Sequence, residues 1–157
     1  MARFLQHAMC VSSAAVLVGL AACAGPAKKP PALVQAAVTV AADVNPDASG
    51  RPSPVVVRLL ELKNLAAFQS ADFFSLSERG KETLGAELLA GEEIVLQPGE
   101  QRRFERPLQD DTRFVGVIAA FRDLDRAHWR ASLPVRPNQT MAVTIKLGRR
   151  DIAIASK

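Results

Sequence analysis

Cys23 has the clearest chemical setting in the chain. It closes the run Leu20-Ala21-Ala22-Cys23, where two small residues precede a thiol. This pattern is a bacterial lipobox. A diacylglyceryl group alkylates the thiol, the small side chains fit the lipoprotein signal peptidase, and cleavage falls between Ala22 and Cys23. The other candidates carry less. His128 stands beside Trp129 with no acid–base set assembled around it, so it reads as a solvent-facing histidine. Asp110-Asp111 and Asp123-Leu-Asp125 are carboxylate pairs in turns. They lack the spaced oxygen ligands and the turn glycine of a calcium loop. Arg102-Arg103 and Arg149-Arg150 lie on or beside strands, where such pairs form a soluble face or meet anionic lipid or an acidic partner. No glycine loop for a phosphate occurs. No catalytic, metal-ligating or cofactor-binding residue is expected.

Composition supports that expectation. With 157 residues the chain is one domain plus appendages. Its 2 cysteines and 2 histidines exclude a multi-ligand thiolate site and a disulfide framework. Aromatics are 5% with no tyrosine, so platforms for stacking bases are not expected. The formal charge of +4 is spread along the chain and does not argue for nucleic acid.

The elements around Cys23 explain its chemistry. Arg3 supplies a positive start, and Val11 to Leu20 is an apolar run too short to span a bilayer. Residues 1–22 therefore read as a lipoprotein signal peptide, and Cys10 is discarded with it. Each buried methylene contributes about 0.8 kcal/mol, so two or three acyl chains on Cys23 hold the protein on a membrane. Ala24 follows, in place of the Asp that retains bacterial lipoproteins at the inner membrane, which points to the outer membrane and a body facing the periplasm. Gly25-Pro-Ala-Lys-Lys-Pro-Pro-Ala32 is a stiff tether, so residues 23–32 are the lipidated N-terminus and tether, and 33–157 the folded body.

The body reads as strands. Leu33 to Ala42 alternates, with Val34, Ala36, Val38 and Val40 on one face. Asn45 to Pro54 is dense in turn formers and must be a loop. Val55 to Lys63 is a second strand. From Asn64 to about Ala90, Ala, Leu, Glu and Lys replace β-branched residues. Asn64 is expected to cap a helix carrying Leu65, Phe68 and Ala71, with a second helical turn through Leu84 and Leu88. The phenylalanines there, Phe73 and Phe74 included, read as a stripe seating a helix on a sheet. Further strands are expected at Glu92 to Gln97, Gln101 to Arg106, Arg113 to Phe121, Trp129 to Leu133, Thr140 to Leu147 and around Ile152 and Ile154. The continuously apolar stretch at 113–121 suits a central strand covered on both faces. With no βαβ rhythm, the expected fold is all-β: an antiparallel two-sheet sandwich with a helical insertion at about 64–90. A body without catalytic machinery, fixed by one end, is expected to bind something, and the long 45–54 loop is the first candidate surface.

Four segments, in order, resemble one family. They are Val56-Val-Arg-Leu-Leu-Glu-Leu-Lys63, Phe68-Gln-Ser-Ala-Asp-Phe-Phe-Ser-Leu76, Leu84-Gly-Ala-Glu-Leu-Leu89 and Glu92-Glu-Ile-Val-Leu-Gln-Pro-Gly-Glu100. Together with the 113–122 strand and Trp129-Arg130, they are similar to the TssJ family of type VI secretion lipoproteins, also called SciN or VasD. The resemblance spans about Ala36 to Leu147. It implies a transthyretin-like β-sandwich with a small helical insertion after the second strand, in an outer-membrane lipoprotein facing the periplasm. It implies binding to the C-terminal periplasmic part of TssM and, with TssL, a trans-envelope complex. It also implies that the loop between the first two strands makes the contact. Here that loop is about Asp43 to Pro54, with Asp43, Asn45, Pro46, Asp47, Ser49, Gly50 and Arg51 as the partner-binding set. Two readings compete: a periplasmic carrier or chaperone holding an apolar ligand between the sheets, and a lipid-anchored enzyme. The first needs a cavity where the strand faces suggest a filled core. The second needs the His, Cys and paired acids that the chain lacks.

Overall fold

The alternation at 33–40 sends Val34, Ala36, Val38 and Val40 inward, where all four are buried, and leaves Gln35 and Thr39 outside. The same rule places Met141, Val143, Ile145 and Leu147 inside on a later strand. In the computed structural model, which describes residues 30–157, these two strands belong to one of two four-stranded sheets. The strands are β1 (Leu33–Val40), β2 (Val55–Leu62), β3 (Leu88–Leu96), β4 (Gln101–Pro107), β5 (Phe114–Ala119), β6 (Arg130–Pro134), β7 (Thr140–Leu147) and β8 (Ile152–Ser156). One sheet has the order β4-β1-β7-β8 and the other β3-β2-β5-β6. The expected signal peptide, the cleavage point at Ala22 and Cys23, and Cys23 itself lie outside the described residues.

The core lies between the sheets. Val55, Val57, Leu59, Val117 and Ala119 of one sheet meet the four inward residues of β1 and those of β7. Burying each such Val, Leu or Ile side chain contributes about 1.5–3 kcal/mol. The cavity between the sheets is about 20 Å³, room for a water and not for an apolar ligand. Glu61 is the buried acid on the inner face. Its Oε2 accepts from the Gln109 N–H at 2.9 Å and from the Thr112 hydroxyl at 2.7 Å, which ties the 109–112 turn to β2.

The outer face of the β3-β2-β5-β6 sheet carries a second core. Leu60, Leu62 and Ile118 bury themselves against Phe68, Leu76 and Leu84 of the insertion. The insertion consists of α1 (Ala66–Ser70), α2 (Phe73–Glu78), α3 (Gly80–Leu84) and a 3₁₀ turn at Gly85–Glu87. β5 is therefore covered on both faces, as its continuous apolar run requires. Gly116 permits the close approach: a Cβ there would lie 3.0 Å from Leu62 Cδ1 and 3.0 Å from the Phe68 ring. Arg130 pins the junction between α1 and α2. Its Nη1 donates to the Phe68 and Ala71 carbonyls at 3.0 and 2.8 Å, and its guanidinium stacks 4.8 Å from the Trp129 ring. Arg58 donates to the Ser77 carbonyl.

Four details differ from the sequence expectation. β1 and β7 run parallel, with Leu33 opposite Thr140 and Val40 opposite Leu147, while the other five strand pairs are antiparallel. Period-two alternation fixes which face a residue takes but not the direction of its neighbour. The helix after β2 breaks at Ala71, which is extended, because Asp72 starts a new helix: its carboxylate accepts from the Ser75 N–H at 2.9 Å and the Ser75 hydroxyl at 2.6 Å. Those two bonds hold the Asp72 carboxyl below the ordinary carboxylate range. Asn64 accepts from the Ala66 N–H at 2.9 Å, but it stands one residue before the N-cap, which is Leu65. Leu88 opens β3 and does not extend a helix, so the strand begins well before Glu92.

Candidate functional site

The chain enters β1 at Leu33, where the Leu33 N–H donates to the Gln139 carbonyl. Eight residues at about 3.3 Å each carry it about 26 Å to the opposite end of the sandwich. There the connection to β2 spans residues 41–54.

That connection is a built structure. The Val44 side chain is fully buried and plugs the end of the core. Asn45 follows in the left-handed region at φ 48°, which Asn tolerates better than most residues. It is 4% exposed and bonds on three sides. Its N–H donates to the Arg149 carbonyl at 3.0 Å, its Nδ2 donates to the Pro54 carbonyl at 2.7 Å, and its Oδ1 accepts from the Arg122 N–H at 2.8 Å. The loop is thus closed at its base and tied to the β5–β6 and β7–β8 connections. Pro46 is buried beside it.

Asp47 organises the tip. Its Oδ1 accepts from the Ser49 and Arg51 N–H groups at 2.8 and 2.9 Å, and its Oδ2 accepts from Arg51 Nε at 2.8 Å. The Gly50 N–H donates to the Asp47 carbonyl, and Gly50 turns the chain at φ 79°. The Arg51 backbone N–H is the chief reason the Asp47 carboxyl sits below its ordinary value, with the Arg51 guanidinium and Ser49 N–H adding to it. Ala48, Ser49, Gly50, Arg51 and Pro52 are exposed.

Of the seven residues expected to bind a partner, Asp43, Ser49, Gly50 and Arg51 are exposed, and Asp47 is partly so. Asn45 and Pro46 face inward, so they shape the loop and do not offer their side chains to a partner. Asp43 pairs with Arg149 at 3.4 Å. Two residues that frame the loop, Val44 and Arg122, were missed in the sequence, and Arg149, singled out there only as half of a charge pair, joins them through its carbonyl and its pairing with Asp43. Val44, an apolar residue set between Asp43 and Asn45, was the one visible signal.

The remaining candidates take structural places. Arg150 pairs with Asp123 at 2.9 Å and Arg102 with Glu100 at 2.7 Å. Glu100 also accepts from the Gln97 N–H, the chief cause that lowers its pKa. Asp111 pairs with Lys63 at 3.2 Å. His128 is exposed and bridges to Asp151 through its backbone. Among the described residues no three His, Cys, Asp or Glu side chains gather where a metal ion could sit. The arrangement is a loop closed at its base by Asn45 and open at its tip.

Comparison with known proteins supports a specific assignment. A family model described as type VI secretion lipoprotein, VasD, EvfM, TssJ, VC_A0113 matches residues 33–150. The lipoprotein TssJ1 of the type VI secretion system of Pseudomonas aeruginosa is 43% identical with a TM-score of 0.79, covering 82% of this chain and 98% of that one. Serratia marcescens Lip, a membrane-bound component of the type VI secretion system, is 30% identical with a TM-score of 0.73, covering 81% and 98%. A chain in a structure described as the TssM C-terminal domain (869-1107) from EAEC is 27% identical with a TM-score of 0.64, covering 78% and 97%. No match was found among curated proteins. The match over most of the body, together with the shared sandwich, shows that the chain belongs to the type VI secretion lipoprotein family.

Proposed function

We propose that this chain holds the C-terminal periplasmic part of TssM at the outer membrane, and through it joins TssL in a trans-envelope complex. Lipid on Cys23 is the anchor and the 41–54 loop is the grip. The observation that carries this reading is the placement of the loop at the far end of β1 from the point where the chain enters. The residues from Cys23 are the proposed link to the lipid, and of the expected tether 23–32 Ala32 already belongs to the folded body, buried with its carbonyl accepting from the Leu108 N–H. In this reading the grip lies at the end of the sandwich opposite the anchored entry and faces the periplasm. The structure described by its TssM domain supports the choice of partner. The similar chain in it is far shorter than the span 869-1107, since 78% of this chain covers 97% of it. The role is mechanical, with no reaction.

The test is a titration of the full mature chain, with Cys23→Ser to keep it soluble, against the periplasmic part of TssM from the same genome. Binding at micromolar concentration or tighter is expected, and no binding there overturns the reading. Mass spectrometry of the membrane-extracted protein should find acyl chains on Cys23. An unmodified thiol would remove the anchor.

A further inference from the structure

Among the described residues, two large hydrophobic side chains are exposed: Phe74 at 58% and Val95 at 49%. Both lie on the outer face of the β3-β2-β5-β6 sheet, beside one groove of about 250 Å³. Val56, Ile118 and Ala120 form its floor and Phe73 its wall. Phe73 is held edge-on between Phe74 and Trp129, at 5.5 and 5.4 Å. Val95 is the cross-strand neighbour of Val56. Arg58, Ser77 and Glu93 line one side of the groove and bond to one another. Arg58 Nε donates to Glu93 at 2.7 Å and the same guanidinium donates to the Ser77 carbonyl. An apolar side chain would displace water from the Val56, Ile118, Ala120 and Phe73 side of the groove.

The groove adjoins the loop. β2 begins where the loop ends, the Val56 carbonyl accepts from the Ala120 N–H at 2.8 Å, and two residues on the Arg122 N–H holds Asn45. The loop exposes eight residues. A specific, stable interface needs about 20–30 residues and about 800 Å² on each side. A partner that grips this loop must therefore spread onto neighbouring surface, and on this side that surface holds the two exposed large hydrophobic side chains, Phe74 and Val95. The geometry points to the groove between α2 and β2 as the anchor pocket of the same interface. It receives an aromatic or large aliphatic side chain from the TssM segment that grips the loop. This inference rests on the proposed function.

Titration of the mature chain, Cys23→Ser, against the periplasmic part of TssM tests it with three further variants. Phe74→Ser with Val95→Thr removes exposed apolar surface. Ala120→Phe fills the groove. Ser49→Trp perturbs the loop alone. The first two should each weaken binding about tenfold or more, as loss of an anchor contact does, with an unchanged melting temperature for the surface pair. If the unsubstituted chain binds and Ser49→Trp weakens it while both groove variants bind as tightly as before, the groove inference falls and the loop reading stands. If the unsubstituted chain does not bind, both fall. If it forms a dimer in sedimentation that Phe74→Ser with Val95→Thr dissolves, the occupant is a second copy of this chain and the assignment to TssM is overturned.

Discussion

The Arg122 backbone N–H donates to Asn45 Oδ1 at 2.8 Å across 77 residues of sequence. One buried amide thereby joins the β1–β2 loop to the connection that follows β5. Asn45→Ala removes this bond and the one to the Pro54 carbonyl, and it forces alanine into a left-handed backbone. A loss of about 2–4 kcal/mol is expected from the unpaired groups and the strain together. Asn45→Gly should lose less, by about 1 kcal/mol, because glycine accepts the conformation. Urea unfolding of both variants measures the difference.

The loop tip should depend on pH through Asp47. Its carboxyl is held below the ordinary value chiefly by the Arg51 backbone N–H. A carboxyl whose folded value is lowered contributes stability above its unfolded value of about 3.9 and loses it as pH falls through the folded value. Amide exchange at Ser49 and Arg51 should be constant from neutral pH down to about pH 4 once corrected for intrinsic rates, then quicken in more acid solution. Asp47→Asn should show faster exchange at neutral pH and no such step.

What could be read in advance follows from how locally each feature is specified. Val34 to Val40 and Met141 to Leu147 each carry their own period-two pattern, so their existence and faces were plain. Their parallel pairing was not, because alternation looks the same in either direction. The loop's place was announced by Asn45-Pro46-Asp47 and the prolines that follow. The division of labour within it was hidden, because Asn45 needs Arg122 and Arg149 from distant connections to become buried. The insertion was legible as helical by composition. Its break at Ala71 depends on Asp72 preferring Ser75 to the preceding helix, a local competition between two caps that composition does not rank. Phe73 and Phe74 read as one stripe, yet only Phe73 lines the groove while Phe74 stays in solvent.

Gly116→Ala should loosen the insertion selectively. The added methyl meets Leu62 and the Phe68 ring at 3.0 Å, and both lie in the outer core. Overpacking of this kind costs about 1–3 kcal/mol. Hydrogen exchange should quicken across 66–84 while β1 and β7, on the far side of the sandwich, keep their protection. Equal loss of protection in both sheets would contradict the assignment of two separate cores.

Arg130 offers the sharper test of how the insertion is held. One guanidinium nitrogen serves the Phe68 and Ala71 carbonyls, and the plane lies over Trp129. Lysine keeps the charge but not the planar fork or the stacking surface. Arg130→Lys should therefore lose about 1–3 kcal/mol, close to the cost of Arg130→Ala, because at least one carbonyl is left unpaired in either case. Trp129 is the only tryptophan in the chain, so its emission reports on the site directly. A shift to longer wavelength is expected in both variants as Phe73 and the guanidinium release the ring to water. An unshifted spectrum in Arg130→Lys with full stability would mean that charge alone fixes the α1–α2 junction.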